Sequence, residues 1–339
     1  LFNGAHGPVA KRVKNLCAQC DTFLANNRSP HRAFVYDQVV SFGELLSTSI
    51  ICAYLNHVGI AAEWVDARSC IKTDNFYRSA HLNWEQTQSA IQDQIQGNVL
   101  KVTQGFIASD MNNFTTTLGR EGSDYTAAIF AYCLGATDVT IWKDVQGVLN
   151  ADPRVFDKTQ LLEHISYQEA IELAFYGASV IHPKTLQPLQ RKEIPLYVKS
   201  FLNPKQKGTK VGKGVPMQPE IPCYIVKKGL SLLRLSTRDF SFVVEDNISD
   251  IFKLLHEHKM SVDVIQNSAI SFSVCVEDTY HKMDALLLAL RSRFDVKHTP
   301  DVSLYTIRHF EENSANTLLS THELILEQRT ATTLQLVLK

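Results

Sequence analysis

The chain has 339 residues, which is too long for one ordinary hydrophobic core and favours two or three domains. Its composition, 45% hydrophobic and 20% charged, is typical of a soluble globular protein. A net charge of −1 leaves no basic excess to attract phosphates, which argues against a nucleic-acid-binding protein. No run approaches the ~20 apolar residues of a membrane span, so we expect no membrane protein.

The cysteines are scattered and odd in number, seven in all, which does not indicate a disulfide framework. Cys17 and Cys20 form a single CxxC with no second pair, so we expect reduced thiols and no metal site. The compartment is therefore predicted to be cytoplasmic. The chain begins at Leu1 with neither an initiator Met nor a signal-peptide pattern, which indicates a trimmed protein.

Along residues 1–202, segments with strand and helix patterns alternate. Helices are predicted for 45–58, 84–95, 125–134, 166–176 and 182–191, and strands for 62–65, 99–103, 105–108, 139–142 and 195–200. This alternation predicts an α/β domain with a mainly parallel sheet sandwiched by helices. Residues 203–220 are rich in Pro, Gly and Lys, which predicts a linker.

After the linker the pattern changes to strand, helix, two strands, helix and strand, with two more short strands in the tail. This βαββαβ order predicts a ferredoxin-like unit. We assign residues 229–301 to a first unit, and residues 221–228 with 302–339 to a second, abbreviated one.

The most informative segment is the polar loop 115–124, which opens directly into a helix. Its two glycines let the backbone approach a ligand, and the helix N-terminus offers free N–H groups to an anion. Arg120 can grip a carboxylate or phosphate with two hydrogen bonds. Ser123 and Asp124 are also residue types that cap helices, so capping and anion binding both remain open for them.

P-loop, Rossmann and protein-kinase signatures do not occur, so the residues alone predict an anion-binding α/β enzyme. Four collinear segments, however, resemble the motifs of aspartokinases. They are S-F-G-E at 41–44, T-L-G-R-E-G-S-D at 117–124, W-K-D-V-Q-G-V at 142–148 with A-D-P-R at 151–154, and S-Y-Q-E-A to G-A-S-V-I-H-P at 166–183. The resemblance implies an amino-acid-kinase domain that phosphorylates L-aspartate, the first step toward lysine, threonine and methionine.

The resemblance also implies residue roles. Glu44 would hold the ammonium group of aspartate and Arg120 its α-carboxylate, with Arg120 and Asp124 as the catalytic residues. The implied aspartate site comprises Ser41, Glu44, Arg120, Ser123 and Asp124, and the implied nucleotide site comprises Lys143, Asp144, Leu149, Arg154 and Ser179. ATP with Mg²⁺ would be the substrate nucleotide, with no permanently bound cofactor. In-line attack by a carboxylate needs positioning and positive charge rather than a general base.

Two departures from the family pattern stand out. The opening K-F-G-G-T-S segment, whose lysine neutralises phosphate charge, is missing, so we expect little activity from this chain alone. Many relatives carry a lysine where this chain has Ser179, and Lys184 would compensate for it about one helical turn later.

Residues 221–339 resemble the ACT domains that regulate aspartokinases. The resemblance implies that Asp263 holds an effector's ammonium group and that Ser268 binds its carboxylate, the effector being lysine or threonine. ACT units usually pair across chains, so we expect a homodimer or larger assembly, with aspartate and ATP as ligands. Three alternatives remain open: a catalytically inactive amino-acid sensor, the kinase half of a bifunctional aspartokinase–homoserine dehydrogenase, and a different amino-acid kinase.

Overall fold

The computed structural model describes residues 7–178, 181–214, 216–239 and 241–339. The chain divides into two compact units, which are described separately. Unit 1 comprises Leu1–Gly147, His164–Ile171 and Ser179–Val215, and unit 2 comprises Val148–Glu163, Glu172–Ala178 and Pro216–Lys339.

Helices and short strands alternate through the first part of the chain. The helices are α1 (Pro8–Asn26), α2 (Arg32–His57), α3 (Ala67–Cys70), α4 (Trp84–Gln94), α5 (Gly122–Leu134), α6 (Tyr167–Tyr176) and α7 (Pro183–Arg191). The strands are β1 (Ala62–Trp64), β2 (Leu100–Val102), β3 (Ile107–Ser109), β4 (Thr115–Thr117), β5 (Val139–Lys143), β6 (His164–Ser166), β7 (Leu196–Ser200) and β8 (Thr209–Gly212). Helix α6 begins in unit 1 and ends in unit 2.

Several helices begin where the sequence contains a capping residue. Asn83 accepts a hydrogen bond from the Gln86 amide at the start of α4, and Ser166 accepts one from Glu169 at the start of α6. His182 caps α7, whose first residue is a proline with a backbone already suited to a helix. These predicted helices are confirmed to within a few residues.

The sheets of unit 1 are mixed but contain the predicted parallel pairs. β1 pairs with β2 in parallel, and β3 pairs with β4 antiparallel. The strand order of the third sheet is β5-β7-β8-β6, with β5–β7 and β6–β8 parallel and β7–β8 antiparallel. The α/β class is therefore confirmed.

Strand β8 lies inside the segment predicted to be a linker, and for these residues the prediction is wrong. Thr209 and Val211 are fully buried in the sheet. Gly208 has φ +71°, and a Cβ there would lie 2.1 Å from the carbonyl oxygen of Val198. The glycine that suggested a linker therefore makes a tight turn into a strand.

Helix α2 alone, among the described residues, has the length and apolar composition of a membrane span, which the expectation of no such segment overlooked. Its buried face is polar in part. The hydroxyl of Thr48 accepts hydrogen bonds from the side chains of Trp64 at 3.0 Å and Gln104 at 2.8 Å, all within unit 1. This polar packing is that of a core helix in unit 1.

Unit 2 contains one antiparallel sheet of six strands in the order β10-β11-β9-β12-β14-β13. Its strands are β9 (Cys223–Ser236), β10 (Ser261–Asn267), β11 (Ser271–Glu277), β12 (Asp295–Arg308), β13 (Leu324–Arg329) and β14 (Thr333–Leu338). Its remaining helices are α8 (Glu245–Glu257), α9 (Met283–Arg291) and α10 (Asn316–Thr321).

Two ferredoxin-like halves share the long strands β9 and β12. The order β12-β9-β11-β10, with helices α8 and α9, is that of a complete βαββαβ unit. The order β9-β12-β14-β13 repeats it, with α10 as the helix that follows β12. The predicted boundaries between the two ferredoxin-like units fall inside β9, at Gly229 (φ +71°), and inside β12, near Asp301 (φ +55°). The pairing of β12 with β9 shifts register at the same place.

The six-stranded sheet folds back on itself. β10 and β13 stand at opposite ends of the strand order, yet the Gln266 side chain donates a hydrogen bond to the carbonyl of Glu327 at 3.3 Å. Val264 of β10 and Leu326 of β13 belong to one buried cluster. Its other fully buried members are Leu230, Leu232, Cys275, Val302, Leu304 and Val337. The inner face of the sheet therefore forms its own core, while α8 and α9 cover part of the outer face.

Replacing Leu326 by alanine tests this folded sheet. Leu326 is 5% exposed, so Leu326→Ala should lower the free energy of unfolding by about 2–5 kcal/mol, because it leaves a cavity between β10 and β13. Leu324 on the same strand is 41% exposed, and Leu324→Ala should change it by less than about 0.5 kcal/mol. Urea denaturation measures both, and equal losses would contradict the inner core.

Candidate active site

The loop predicted to bind an anion leads from a buried strand to an uncapped helix. β4 is fully buried, and α5 begins at Gly122, so Ser123 and Asp124 lie inside the first turn. The interpretation of these two residues as caps is therefore wrong. Glu121 occupies the N-cap position and makes no side-chain capping bond. The Gly122 N–H donates to the Gly119 carbonyl at 3.1 Å, whereas the N–H groups of Ser123 and Asp124 have no acceptor within the helix and favour an anionic ligand.

Glu121 holds a strained backbone conformation in this loop. Its φ of +54° lies in the left-handed region, which costs a non-glycine residue roughly 1–2 kcal/mol. The Oε2 atom of Glu121 is buried and has no hydrogen-bond partner among the residues the structure describes. This loop therefore stores strain and an unsatisfied carboxylate oxygen beside the helix N-terminus.

Two residues from other segments of the chain, Ser79 and Phe106, lie close to Gly119 and Gly122. A Cβ at Gly119 (φ +79°) would lie 3.1 Å from the Oγ of Ser79, and one at Gly122 would lie 2.7 Å from the ring of Phe106. Any larger side chain would displace these residues. No sequence pattern indicated that Ser79 and Phe106 support the site, because both are distant from the loop in sequence and belong to no recognised motif.

Lys143 and Asp124 connect two of the predicted motifs. The ammonium nitrogen of Lys143, at the end of β5, lies 2.8 Å from Oδ2 of Asp124 in the first turn of α5. Both side chains are mostly buried, at 21% and 17% exposure. The ion pair brings a residue of the implied nucleotide site next to one of the implied aspartate site.

Charged side chains from the loop before α5 and from the first turn of α7 act on His182. Burial lowers the pKa of His182, the Lys184 and Arg120 charges lower it further, and the Glu121 carboxylate opposes them. Arg120 is exposed, and Lys184 lies in the first turn of α7. Ser179, the position for which Lys184 was predicted to compensate, lies outside the described residues, so that compensation stays a prediction.

Glu44 is available for a ligand on the adjacent helix. It is half-buried on α2, burial raises the pKa of its carboxyl, and no hydrogen-bond partner for that carboxylate occurs in the described part of the chain. Ser41, by contrast, is 1% exposed, and its hydroxyl donates to the carbonyl of Gln38 at 2.8 Å. In this structure Ser41 is therefore engaged within its own helix.

The sequence interpretation missed Asp37, a fully buried carboxylate on α2. Its Oδ2 accepts hydrogen bonds from the backbone amides of Arg78 and Thr117, both at 2.9 Å, and its Oδ1 accepts one from the Thr117 hydroxyl at 2.9 Å. The neighbouring Gln38 side chain donates to the carbonyl of Thr115 at 2.7 Å. Asp37 therefore fixes α2 to the end of β4, immediately before the anion-binding loop. A charged residue one turn before S-F-G-E was the available signal.

The other predicted residues are distributed over both units. Asp144 is exposed in unit 1, whereas Leu149 and Arg154 belong to unit 2, where Arg154 pairs with Asp152 at 2.7 Å. The two predicted effector residues also lie in unit 2. Asp263 is 7% exposed and pairs with Lys227, and the hydroxyl of Ser268 lies 2.8 Å from that of Ser271.

Comparison with known proteins identifies relatives of both sequence and structure. A model of the amino acid kinase family matches residues 4–200. The lysine-sensitive aspartokinase 3 of Escherichia coli (strain K12) is 35% identical over 246 residues, 72% of this chain and 55% of that protein. Aspartokinase 1, chloroplastic, of Arabidopsis thaliana is 36% identical over 251 residues, 71% of this chain and 43% of that protein. The chain spans about half the length of these curated relatives.

A solved structure extends the similarity across both units. E. coli aspartokinase III in complex with aspartate and ADP (R-state) matches with a TM-score of 0.79 and 27% sequence identity. The match covers 98% of this chain and 78% of that one. The resemblance seen in the sequence motifs is thereby confirmed.

Removing the Asp37 carboxylate tests its role as an anchor. Asp37→Ala leaves two buried amides without an acceptor and should lower the free energy of unfolding by about 2–4 kcal/mol. Asp37→Asn keeps one acceptor oxygen and should lose less. Asp21, exposed on α1, is the control, and its replacement by alanine should have little effect in urea denaturation. Equal effects at both positions would contradict the anchor.

The capping bond of α7 should make stability depend on pH. Nδ1 of His182 accepts from the Lys184 amide at 3.1 Å, which requires the unprotonated ring. Because the folded-state pKa is lowered below the ordinary 6.5, this contribution is complete above that pH and is lost as pH falls through the lowered pKa.

His182→Asn, which offers an acceptor that does not titrate, should therefore flatten the dependence of Tm on pH between about 5 and 7. His31 is the control, since it stands at the N-cap of α2 without a capping bond. Identical pH profiles for His182→Asn and the unchanged chain would contradict the role of the imidazole.

Proposed function

The chain belongs to the amino acid kinase family, and we propose that it phosphorylates the side-chain carboxylate of L-aspartate with ATP, forming 4-phospho-L-aspartate and ADP. One observation carries the proposal. The Lys143–Asp124 ion pair joins the motif implied to meet the nucleotide to the first turn of α5, beside the exposed Arg120. The similarity to an aspartokinase in complex with aspartate and ADP supports the same assignment.

The reaction needs no general base, because the aspartate carboxylate is ionised at neutral pH. One of its oxygens attacks the γ-phosphorus of ATP, the bond between that phosphorus and the β,γ-bridging oxygen breaks, and ADP leaves. Mg²⁺ enters with ATP as part of the substrate and balances charge on its phosphates. Catalysis then depends on positioning and on fixed positive charge.

The residues of unit 1 suit these tasks. Arg120 can bind the α-carboxylate of aspartate with two hydrogen bonds, and Glu44, whose carboxylate has no hydrogen-bond partner among the described residues, can pair with its ammonium group. Ser41, Ser123 and Asp124 complete the proposed aspartate site, and the latter two lie in the first turn of α5. Lys143 and Lys184 supply positive charge to the nucleotide phosphates, and the motifs assign Asp144 and Ser179 to nucleotide binding. The motifs assign Leu149 and Arg154 to nucleotide binding as well, although both belong to unit 2.

Regulation by an amino acid is the second part of the proposal. The ferredoxin-like halves of unit 2 have the topology of ACT domains, and a relative 35% identical in sequence is named lysine-sensitive. We assign lysine or threonine as the effector and a homodimer or larger assembly as the working form. The seven cysteines, all within the described residues, form no disulfide, which suits the reducing cytoplasm proposed as the location.

Kinetics and calorimetry test the aspartate site together. Arg120→Ala should raise the KM for aspartate about a hundredfold, because a bidentate pair with a carboxylate contributes about 2–3 kcal/mol. Arg28, which is exposed in the loop after α1, is the control, and Arg28→Ala should leave KM unchanged. A coupled assay of ADP release with Mg-ATP measures turnover.

Isothermal titration with aspartate gives a second readout if turnover is slow. Aspartate binding that Arg120→Ala abolishes, accompanied by ADP release, supports the kinase. Binding without any ADP release favours the inactive sensor, and no difference between the Arg120 and Arg28 variants refutes the assigned site.

A further inference from the structure

Unit 1 contains an open cleft of about 370 Å³ beside helix α4. Its walls are α4, the segment that follows α3, and the turn that joins β3 to β4. A parallel bridge between Lys72 and Ser109 holds the last two walls together. The volume lies within the roughly 300–1,000 Å³ that is common for small-molecule sites. Strand β4, whose three residues span about 10 Å, separates this turn from the anion-binding loop, so the cleft is a different place from the candidate active site.

Lys72 gives the cleft a cation that has no counter-ion. Its ammonium group donates to the carbonyl of Arg68 at 2.9 Å and to the hydroxyl of Ser109 at 3.0 Å. Both acceptors are neutral, and Lys72 forms no ion pair within the part of the chain that the structure describes. An ammonium group has three N–H donors, so one of them remains for a ligand.

Asp110 gives the same cleft a buried carboxylate that has no cation. The residue is 3% exposed. Its Oδ1 accepts hydrogen bonds from the backbone amides of Asn112 and Phe114, both at 2.9 Å, and its Oδ2 accepts one from the Tyr77 hydroxyl at 3.2 Å. All three donors are neutral, and among the described residues Asp110 has no ion pair. Burial of a carboxylate without an opposite charge is costly, and Oδ2 can accept a further hydrogen bond.

Uncharged polar side chains line the rest of the cleft. They belong to Gln86 and Ser89 on α4 and to Asn113 in the turn after β3. Within the described ranges none of these three side chains has a hydrogen-bond partner. Each amide offers both donors and acceptors, which suits a ligand whose own side chain carries a carboxamide or a similar polar group.

The two charges of the cleft are unpaired, and they do not neutralise each other. A ligand with one carboxylate and one ammonium group would neutralise both at once, and an α-amino acid carries these two groups on a single carbon. We propose that this cleft binds a free α-amino acid with a polar side chain, its carboxylate on Lys72 and its ammonium group on Asp110. The site is independent of the proposed kinase reaction, because it shares no residue with the candidate active site.

Calorimetry with L-glutamine tests the cleft. Arg120→Ala is the background for every titration, so that the proposed aspartate site does not contribute. In that background Lys72→Gln removes the positive charge and keeps a donor, and Asp110→Asn removes the negative charge and keeps Oδ1 as an acceptor. Each change should weaken L-glutamine binding at least about tenfold, because hydrogen bonds between charged groups are among the strongest.

Two analogues of the probe remove the same charges from the ligand. N-acetyl-L-glutamine has no ammonium group, so Asp110→Asn should not weaken its binding any further. L-glutaminamide has no carboxylate, so Lys72→Gln should not weaken its binding any further. This pairing of ligand and variant assigns each charge of the ligand to one residue, which a general loss of structure would not do.

Three variants and one spectroscopic signal control the experiment. Lys14→Gln and Asp21→Asn change exposed charges on α1 and should leave binding unchanged. Asp93 lies exposed in the wall formed by α4, and Asp93→Asn should weaken binding by less than about threefold, because an exposed ion pair contributes little. Met111 lines the cleft and is 67% exposed, so its methyl resonance should shift when L-glutamine binds.

Each outcome decides the proposal. Losses at Lys72 and Asp110 that match the two analogues support the site. Binding that neither variant weakens, or equal binding of L-glutamine and both analogues, overturns it. A larger loss from Asp93→Asn than from Asp110→Asn overturns the assigned carboxylate, and the absence of both heat and a Met111 shift overturns the site as a whole. If Asp110→Asn does not fold, the analogues decide the question on the Arg120→Ala chain.

Discussion

The candidate site depends on one buried carboxylate. Asp37 has no contact with solvent, and its two oxygens accept three hydrogen bonds from Arg78 and Thr117. These bonds hold helix α2, the end of β4 and the turn at Arg78 in one arrangement. The loop that follows β4 then starts from a fixed point, and Arg120 and the uncapped end of α5 are presented at its other end. Without this anchor, a loop with a left-handed Glu121 would have little to hold its strained conformation.

The two units use buried carboxylates in opposite ways. The Asp37 carboxylate accepts three hydrogen bonds, two of them from backbone amides. A buried carboxylate with this many partners holds the segments that it joins in one position. Asp263 is met by a single flexible side chain, and its second oxygen has no hydrogen-bond partner among the described residues. The difference lies in the donors rather than in burial, since backbone amides cannot move away and a lysine ammonium can.

Much of the fold could be predicted from the sequence because its signals were local. Ser166 and Asn83 cap the helices that follow them, and the apolar run after S-F-G-E forms the C-terminal half of α2, which begins at Arg32. The strand β8 escaped prediction because it is short and its Gly and Lys content is also that of a linker. The site was predictable only as far as its motifs extend. Asp37, Ser79 and Phe106 act through contacts between distant segments, and no local pattern marks such contacts. The Lys227–Asp263 pair was missed for the same reason, since it joins β9 to β10 across β11.

The sharing of β9 and β12 has a consequence for how unit 2 opens. Each ferredoxin-like half contains one part of β9 and one part of β12, so neither half has four strands that belong to it alone. If one half lost its strand pairing, the other half would lose a neighbouring strand, and the buried cluster on the inner face of the sheet would be exposed. The two halves therefore form a single foldon, in which amide protons of β11 and of β14 exchange through the same global opening rather than through separate local ones.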